Sequence, residues 1–356
     1  MPKKALFTGG GSAGHVTPNL AIIQTLKQDG WDIHYAGSTA GIEREIIQPL
    51  AIPYYAIKSG KLRRHASWKT LATPFLVLAG IAQAWQLCRQ QKFNIVFSKG
   101  GFVAFPIVVG AWLCRIPVIC HESDLTPGLA NRLSFPFVQN ICVTFAQAKQ
   151  CFKQSNKVIV TGSPIRPALL QGNAQRGLTF CGFSADKPVI MAFGGGLGAA
   201  KINQTLRTAL PTLLPEFNIV HLCGQGKVDS SYQDMPGYRQ FEYINHELAD
   251  IFACANIVVS RAGANSIFEL IKLHKAHLLI PLSKKASRGD QIINANHFKQ
   301  LGLSDVLTEE QLTPETLIRH IKDLFAIRET RQKQLSNFDL PDAVSVISKL
   351  LAEKAL

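Results

Sequence analysis

The stretch Ala5-Leu6-Phe7-Thr8-Gly9-Gly10-Gly11-Ser12-Ala13-Gly14-His15 decides how the chain is read. It begins with an apolar run of the kind that forms a buried strand. Three glycines end the run, and a small-residue turn leads into a helix. Pro18 suits the first turn of that helix, Leu20, Ile23 and Leu26 give it an apolar face, and Gly30 ends it. Glycines let backbone approach a ligand closely, and a helix N-terminus presents unpaired N–H groups with a partial positive charge. The turn therefore suits a phosphate or a developing oxyanion. Gly9, Gly11 and Gly14 also match the dinucleotide spacing G-x-G-x-x-G. His15 is either a proton acceptor at the mouth of the turn or a first-turn residue that only hydrogen-bonds locally.

The alternation of strand and helix continues outward from this unit. Strands are expected at Asp32–Ala36, Pro53–Ile57, Asn94–Phe97, Pro117–Cys120, Asn140–Thr144 and Lys157–Thr161, with helices at Gly41–Leu50 and Trp68–Gln91. Gly162-Ser163-Pro164-Ile165-Arg166-Pro167 interrupts the pattern as a linker would. It then restarts with a strand at Pro188–Phe193, a second glycine loop at Gly194–Gly198 and a helix at Ala199–Leu213. Further strands are expected near Phe217–Leu222, Asn256–Ser260 and His277–Pro281. The fold class is α/β, with two Rossmann-like, doubly wound parallel sheets. The expected domains are 1–163 and 164–341. The tail Asp342–Leu356 should form an amphipathic helix that crosses back to the first domain.

Composition narrows the function. A chain of 356 residues with 47% apolar content is long enough to bury two cores. Its eight cysteines form no C-x-x-C pair and read as small core residues in a reducing compartment. His274 and His277 lack the glutamate of H-E-x-x-H, and no D-x-D pair occurs, so no metal is expected. Lys3 and Lys4 lead directly into the first strand, unlike a signal peptide, and no apolar run reaches membrane-spanning length. The net charge is +14, and no Asp or Glu occurs from Ile46 to His121. A field of one sign attracts an anionic partner such as a diphosphate or an anionic lipid. No helix-turn-helix, zinc finger or RNA-binding signature points to nucleic acid.

Several polar stretches fall at strand ends, where open parallel sheets bind ligands. Ser260-Arg261-Ala262-Gly263-Ala264-Asn265-Ser266 leaves room for a phosphate at a helix mouth. Glu269, farther along that helix, is suited to vicinal ribose hydroxyls, or is simply a solvated glutamate. Asp290 and Gln291 suit sugar hydroxyls or merely begin a helix. His121-Glu122-Ser123-Asp124 should point into a cleft, with Asp124 also able to cap the helix beginning near Pro127. The second strand ends Ala36-Gly37-Ser38, without the acid that a nicotinamide dinucleotide's ribose requires.

Taken together, Gly9–His15, Phe97–Phe102, His121–Asp124, Gly128–Asn131, Ser260–Ala264 and Ser287–Gln291 resemble the MurG family of N-acetylglucosaminyltransferases of peptidoglycan synthesis, in its Gram-positive form. The resemblance covers nearly the whole chain. It implies a GT-B fold with a cleft between the domains, and inverting transfer of N-acetylglucosamine from UDP-GlcNAc to the muramoyl 4-hydroxyl of lipid I, with no cofactor. His15 is then the base. Ser12, Ala13, Gly14, Asp124, Arg166, Gly196, Ala264, Asn265, Ser266, Glu269 and Gln291 border the donor, and backbone near Ile244 meets the uracil. Gly196 stands where many members carry Ser, and Asp124 where others carry Asn. The resemblance also implies peripheral attachment to the cytoplasmic face of an anionic membrane. Lys61, Arg63, Arg64, Trp68, Phe75 and Trp85 would make that contact. Another GT-B transferase, such as a diacylglycerol glycosyltransferase, shares the glycine loops and ribose glutamate. An NAD-dependent oxidoreductase and a non-catalytic nucleotide-binding adaptor are the readings from other classes.

Overall fold

The structure, a computed structural model, describes residues 2–60, 73–196 and 198–356. Lys61, Arg63, Arg64, Trp68 and Leu197 lie outside the described residues. The chain divides into two compact units: Met1–Arg166 together with Pro341–Leu356, and Pro167–Leu340.

The first unit is built on seven parallel strands: β1 Lys4–Thr8, β2 Asp32–Gly37, β3 Tyr54–Ala56, β4 Ile95–Ser98, β5 Val118–Glu122, β6 Asn140–Val143 and β7 Val158–Val160. Their order is β3-β2-β1-β4-β5-β6-β7. Leu6 aligns with His34 on one side and with Val96 on the other, so β1 is an interior strand, and its middle residues Ala5, Leu6 and Phe7 are apolar and buried. Phe7, Tyr35, Phe97 and Ile119 form the core with Ile22 and Leu26 from the helix Thr17–Gln28. The C-terminal helix Ala343–Lys354 joins this core through Ile347 and Leu351. Each such fully buried side chain contributes about 1.5–3 kcal/mol. Asp342 caps that helix by accepting from the Ser345 N–H at 3.2 Å.

The second unit carries six parallel strands: β8 Val189–Phe193, β9 Asn218–Leu222, β10 Tyr238–Phe241, β11 Ala255–Ser260, β12 Ala276–Leu279 and β13 Asp305–Val306. The order β10-β9-β8-β11-β12-β13 reverses direction between β8 and β11. That reversal marks where ligands bind in such sheets.

Three differences from the sequence reading have physical causes. β10 and β13 were not expected, because Tyr238-Arg239-Gln240-Phe241 is polar at its centre and β13 spans two residues, and both are edge strands. The stretch 41–50 is α-helical only over Ile42–Ile47 and tightens to a 3-10 turn at Gln48–Leu50. Pro49 supplies no N–H to continue the α-helix. Finally, β5 runs to Glu122 rather than ending at Cys120, which turns His121 and Glu122 into buried strand residues.

Candidate active site

His15 ends the 3-10 turn Ala13–His15, just ahead of the helix Thr17–Gln28. It is half-buried, and its Nδ1 lies 3.0 Å from the Ser12 hydroxyl. A histidine that takes a proton on Nε2 must carry its own proton on Nδ1, with Ser12 Oγ as the acceptor. The geometry allows that tautomer. Neither helical segment is capped by the side chain before it, so backbone donors gather at this mouth.

The glycines of this loop are also required by its protein neighbours. A Cβ on Gly9 would sit 2.3 Å from the His15 carbonyl oxygen, and one on Gly10 would sit 2.6 Å from the Glu43 carboxyl carbon. Gly11 has φ +84°, and a Cβ there would sit 2.6 Å from the Phe102 ring. Side chains at these three positions would collide with the loop's own neighbours, so glycine is needed there for packing. Glu43 is the residue the sequence reading missed. It is fully buried, and its carboxylate accepts from Gly11 N–H at 3.2 Å, from Ser38 N–H at 3.0 Å and from the Ser38 hydroxyl. It thus ties the loop that carries His15 to the end of β2. A Cβ on Gly37 or Gly41 would also run into Glu43. The carboxylate is turned inward onto the loop backbone. Burial, and then Glu43, push the Tyr54 phenol upward, while its hydroxyl donates to the Ser38 carbonyl at 2.6 Å. The sequence signal was an acid flanked by glycines on both sides of the β2 turn.

At the ends of β4 and β5 the polar groups face the protein rather than solvent. Glu122 is buried and accepts from Asp124 N–H at 3.0 Å, Gly128 N–H at 3.0 Å and Asn131 Nδ2 at 2.9 Å. It shapes the 123–128 loop from below. The helix that follows is Leu129–Ser134, with Gly128 as its N-cap and no side-chain cap, so Asp124 does not cap it. Asp124 is half-buried on the loop that Glu122 holds.

The second unit contributes two helix mouths at the β8/β11 reversal. The helices Ala200–Leu213 and Ala264–Lys272 begin at Ala199 and Gly263, neither of which caps its helix with a side chain. Cβ atoms added to Gly195, Gly196 or Gly263 would meet nothing within 4 Å. This is open space beside helix N-termini, which suits phosphate. Gly198 is structural instead, with its would-be Cβ 1.8 Å from the Cys223 carbonyl oxygen. Ala264 is buried, and Asn265, Ser266 and Glu269 are half-buried on the same helix. Gln291, in the first turn of the helix Asp290–Gln300, accepts from Leu282 N–H at 2.9 Å through Oε1, which fixes its amide. Arg261 pairs with Glu309, and Glu309 also accepts from Ser283 N–H at 3.2 Å, so this pair braces the loop before Gln291. The Ile244 side chain lies in the core with Ile251 and Val258, so only its backbone is available to a base. Arg166 is the last residue of the first unit before the chain enters the second.

On the helix Thr73–Gln91, Gly80, Ala84, Leu87 and Cys88 are buried, while Phe75 is 75% and Leu78 63% exposed. Trp85 is 39% exposed, and the Arg89 guanidinium lies 5.0 Å from its ring centroid. Among the described residues no helix is long and apolar enough to cross a membrane.

The chain matches the glycosyltransferase family 28 N-terminal domain over residues 5–143 and the corresponding C-terminal domain over residues 189–349. It is 50% identical over 355 residues to the UDP-N-acetylglucosamine--N-acetylmuramyl-(pentapeptide) pyrophosphoryl-undecaprenol N-acetylglucosamine transferase of Legionella pneumophila (strain Paris), covering 100% of this chain and 98% of that one. A Bacillus thuringiensis subsp. konkukian relative bearing the same name with the number 2 is 52% identical over 351 residues, 99% of each chain. The crystal structure of Acinetobacter baumannii MurG superposes with a TM-score of 0.76 at 27% identity, covering 99% of this chain and 100% of that one. With two Rossmann-like sheets and this likeness along its whole length, the chain belongs to the MurG family of GT-B glycosyltransferases.

Proposed function

We propose that this chain transfers N-acetylglucosamine from UDP-GlcNAc to the 4-hydroxyl of the muramoyl sugar of lipid I, giving lipid II and UDP with inversion. The observation that carries the donor half is the open pair of uncapped helix N-termini at the β8/β11 reversal. There the β-phosphate gathers negative charge as it leaves, and helix ends and Arg166 stabilise it. Glu269 holds the ribose hydroxyls, Gln291 the sugar, and Ala264, Asn265 and Ser266 line the diphosphate. Backbone near Ile244 meets the uracil.

The first unit supplies the acceptor and the base. The 4-hydroxyl oxygen attacks the anomeric carbon from the face opposite the diphosphate, the bond from that carbon to the phosphate oxygen breaks, and the hydroxyl proton passes to His15 Nε2. Ser12 fixes the imidazole, while Ala13, Gly14 and Asp124 border the sugar. The exposed face of Phe75, Leu78 and Trp85 beside Arg89 meets an anionic membrane, and so brings the base to a lipid-linked acceptor. Lys61, Arg63, Arg64 and Trp68 belong to the same proposal.

Incubation with labelled UDP-GlcNAc and a lipid I analogue tests it. Label should move to the lipid product in step with UDP release. UDP-GlcNAc hydrolysis without lipid product, or transfer only to another acceptor such as diacylglycerol, would overturn it.

A further inference from the structure

A lysine stands buried under the acceptor unit's loops. Lys99 follows β4, is 1% exposed, and donates from Nζ to His121 Nδ1 at 2.6 Å and to the Ser123 hydroxyl. His121 in turn donates from Nε2 to the Gly162 carbonyl at 2.9 Å. Because Nε2 carries that proton, Nδ1 is left to accept from Lys99. The backbone of Lys99 is tied to β1 by its N–H to the Thr8 carbonyl at 2.8 Å, and its Cβ lies 3.0 Å from where a Gly9 Cβ would be. Lys99 thus stands between three segments: its backbone is held to β1 where the glycine loop begins, its ammonium holds the Ser123–Asp124 turn, and through His121 it reaches the Gly162 segment that leads into the second unit.

A cation is an expensive choice for this position. Packing alone would be met as well by an apolar side chain of similar length, since replacing buried ions by apolar groups is often neutral or stabilising. The charged and titratable groups facing Lys99 are His121 and Glu122 at the end of β5, Asp124 beyond it and Cys142 on β6. Burial pulls the lysine down to about 7, against the two carboxylates that favour its ammonium. Burial, followed by the Lys99 charge, holds His121 well below its ordinary value, so His121 is neutral and serves as an acceptor.

We propose that Lys99 is a positioning residue for glycosyl transfer: through His121 and Ser123 its ammonium fixes the loop bearing Asp124 against the glycine loop bearing His15. This rests on the transfer reaction proposed above and adds a residue to it. Lys99 touches no reacting atom and acts through the two loops.

The test compares Lys99→Met and Ser123→Ala with the wild-type enzyme in the UDP-GlcNAc and lipid I analogue assay, followed from pH 6 to pH 10. For Lys99→Met, kcat should fall by about ten-fold or more, the loss expected for one charge-assisted hydrogen bond, while KM for UDP-GlcNAc stays within about two-fold. Its melting temperature should change little, because the relief of a desolvated charge offsets the loss of a donor to the buried His121 Nδ1. The wild-type kcat profile should show a fall on the alkaline side that Lys99→Met lacks. Ser123→Ala, which leaves the lysine in place, should lose kcat in the same direction but less. If Lys99→Met does not fold, the wild-type alkaline limb and the Ser123→Ala loss decide the matter. Unchanged kcat and an unchanged pH profile in the variants of an active enzyme would overturn the role of Lys99. An inactive wild type would instead count against the reaction itself.

Discussion

Glu43→Gln replaces one buried oxygen by an NH2 group at nearly constant shape. Gly11 N–H donates to Oε2 at 3.2 Å and Ser38 N–H to Oε1 at 3.0 Å, so the two backbone donors use different oxygens. Whichever way the new amide turns, one backbone N–H must face another donor. Leaving a buried donor unmet costs about 1–3 kcal/mol, and the remaining bonds lose the strength that a charged acceptor gave them. The sum is roughly 2–4 kcal/mol. A unit of this size loses about 2–4 °C of melting temperature per kcal/mol, so calorimetry should find its transition lowered by roughly 4–15 °C. The same change frees Gly10 and Gly11 to shift, and His15 moves with them. A displacement of the base by a fraction of an ångström should lower kcat by about ten-fold or more. Affinity for UDP-GlcNAc should fall less than kcat, because most of the proposed donor contacts, Ala264, Asn265, Ser266, Glu269 and Gln291 among them, lie in the other unit. A Glu43→Gln enzyme with wild-type melting and wild-type kcat would refute the assignment of Glu43 as the anchor of the base-bearing loop.

The second glycine loop should respond unevenly to substitution. Gly196→Ser has open space and should fold normally, whereas Gly198→Ala, which meets Cys223 at 1.8 Å with φ +66°, should cost about 2–4 kcal/mol or fail to fold; equal melting temperatures for the two would contradict this. The second unit should weaken in acid. Burial pulls His221 down to about 3 and His277 to about 4, both below their unfolded values. The unfolded chain therefore binds protons first, and stability present above pH 6.5 is lost as the pH falls toward 4, by about 1.4 kcal/mol per pH unit for each histidine. A His277→Gln enzyme should show a shallower acid slope in urea titrations, and an identical slope would show that His277 is not responsible. Phe75→Glu together with Trp85→Glu should lower binding to anionic vesicles by about ten-fold in sedimentation, with catalysis on a water-soluble acceptor retained. Undiminished binding would remove that helix face from the membrane contact.

Much of the fold was legible because parallel strands buried on both faces leave apolar runs, and because Gly-rich turns and the Gly162–Pro167 stretch punctuate them. The edge strands Tyr238–Phe241 and Asp305–Val306 left no such run, since one is polar at its centre and the other is two residues long. Glycine spacing marked the first loop correctly as a place of close approach. It could not say what approaches: Glu43 and Phe102 come from distant segments, and the His15 carbonyl from the far end of the same loop. Likewise, His121 and Glu122 looked like residues beyond a strand end, because their polarity hides the strand register that carries them inside. Open glycines and filled ones are the same letter in sequence, and only the neighbours separate Gly196 from Gly198.

His15 takes the acceptor's proton in the proposed transfer, and His15→Ala isolates that step. With UDP-GlcNAc binding measured by calorimetry and transfer measured on a lipid I analogue, kcat should fall by about a hundred-fold or more while the donor's Kd stays within about two-fold. Transfer at near wild-type rate, or a loss explained wholly by weaker donor binding, would contradict it.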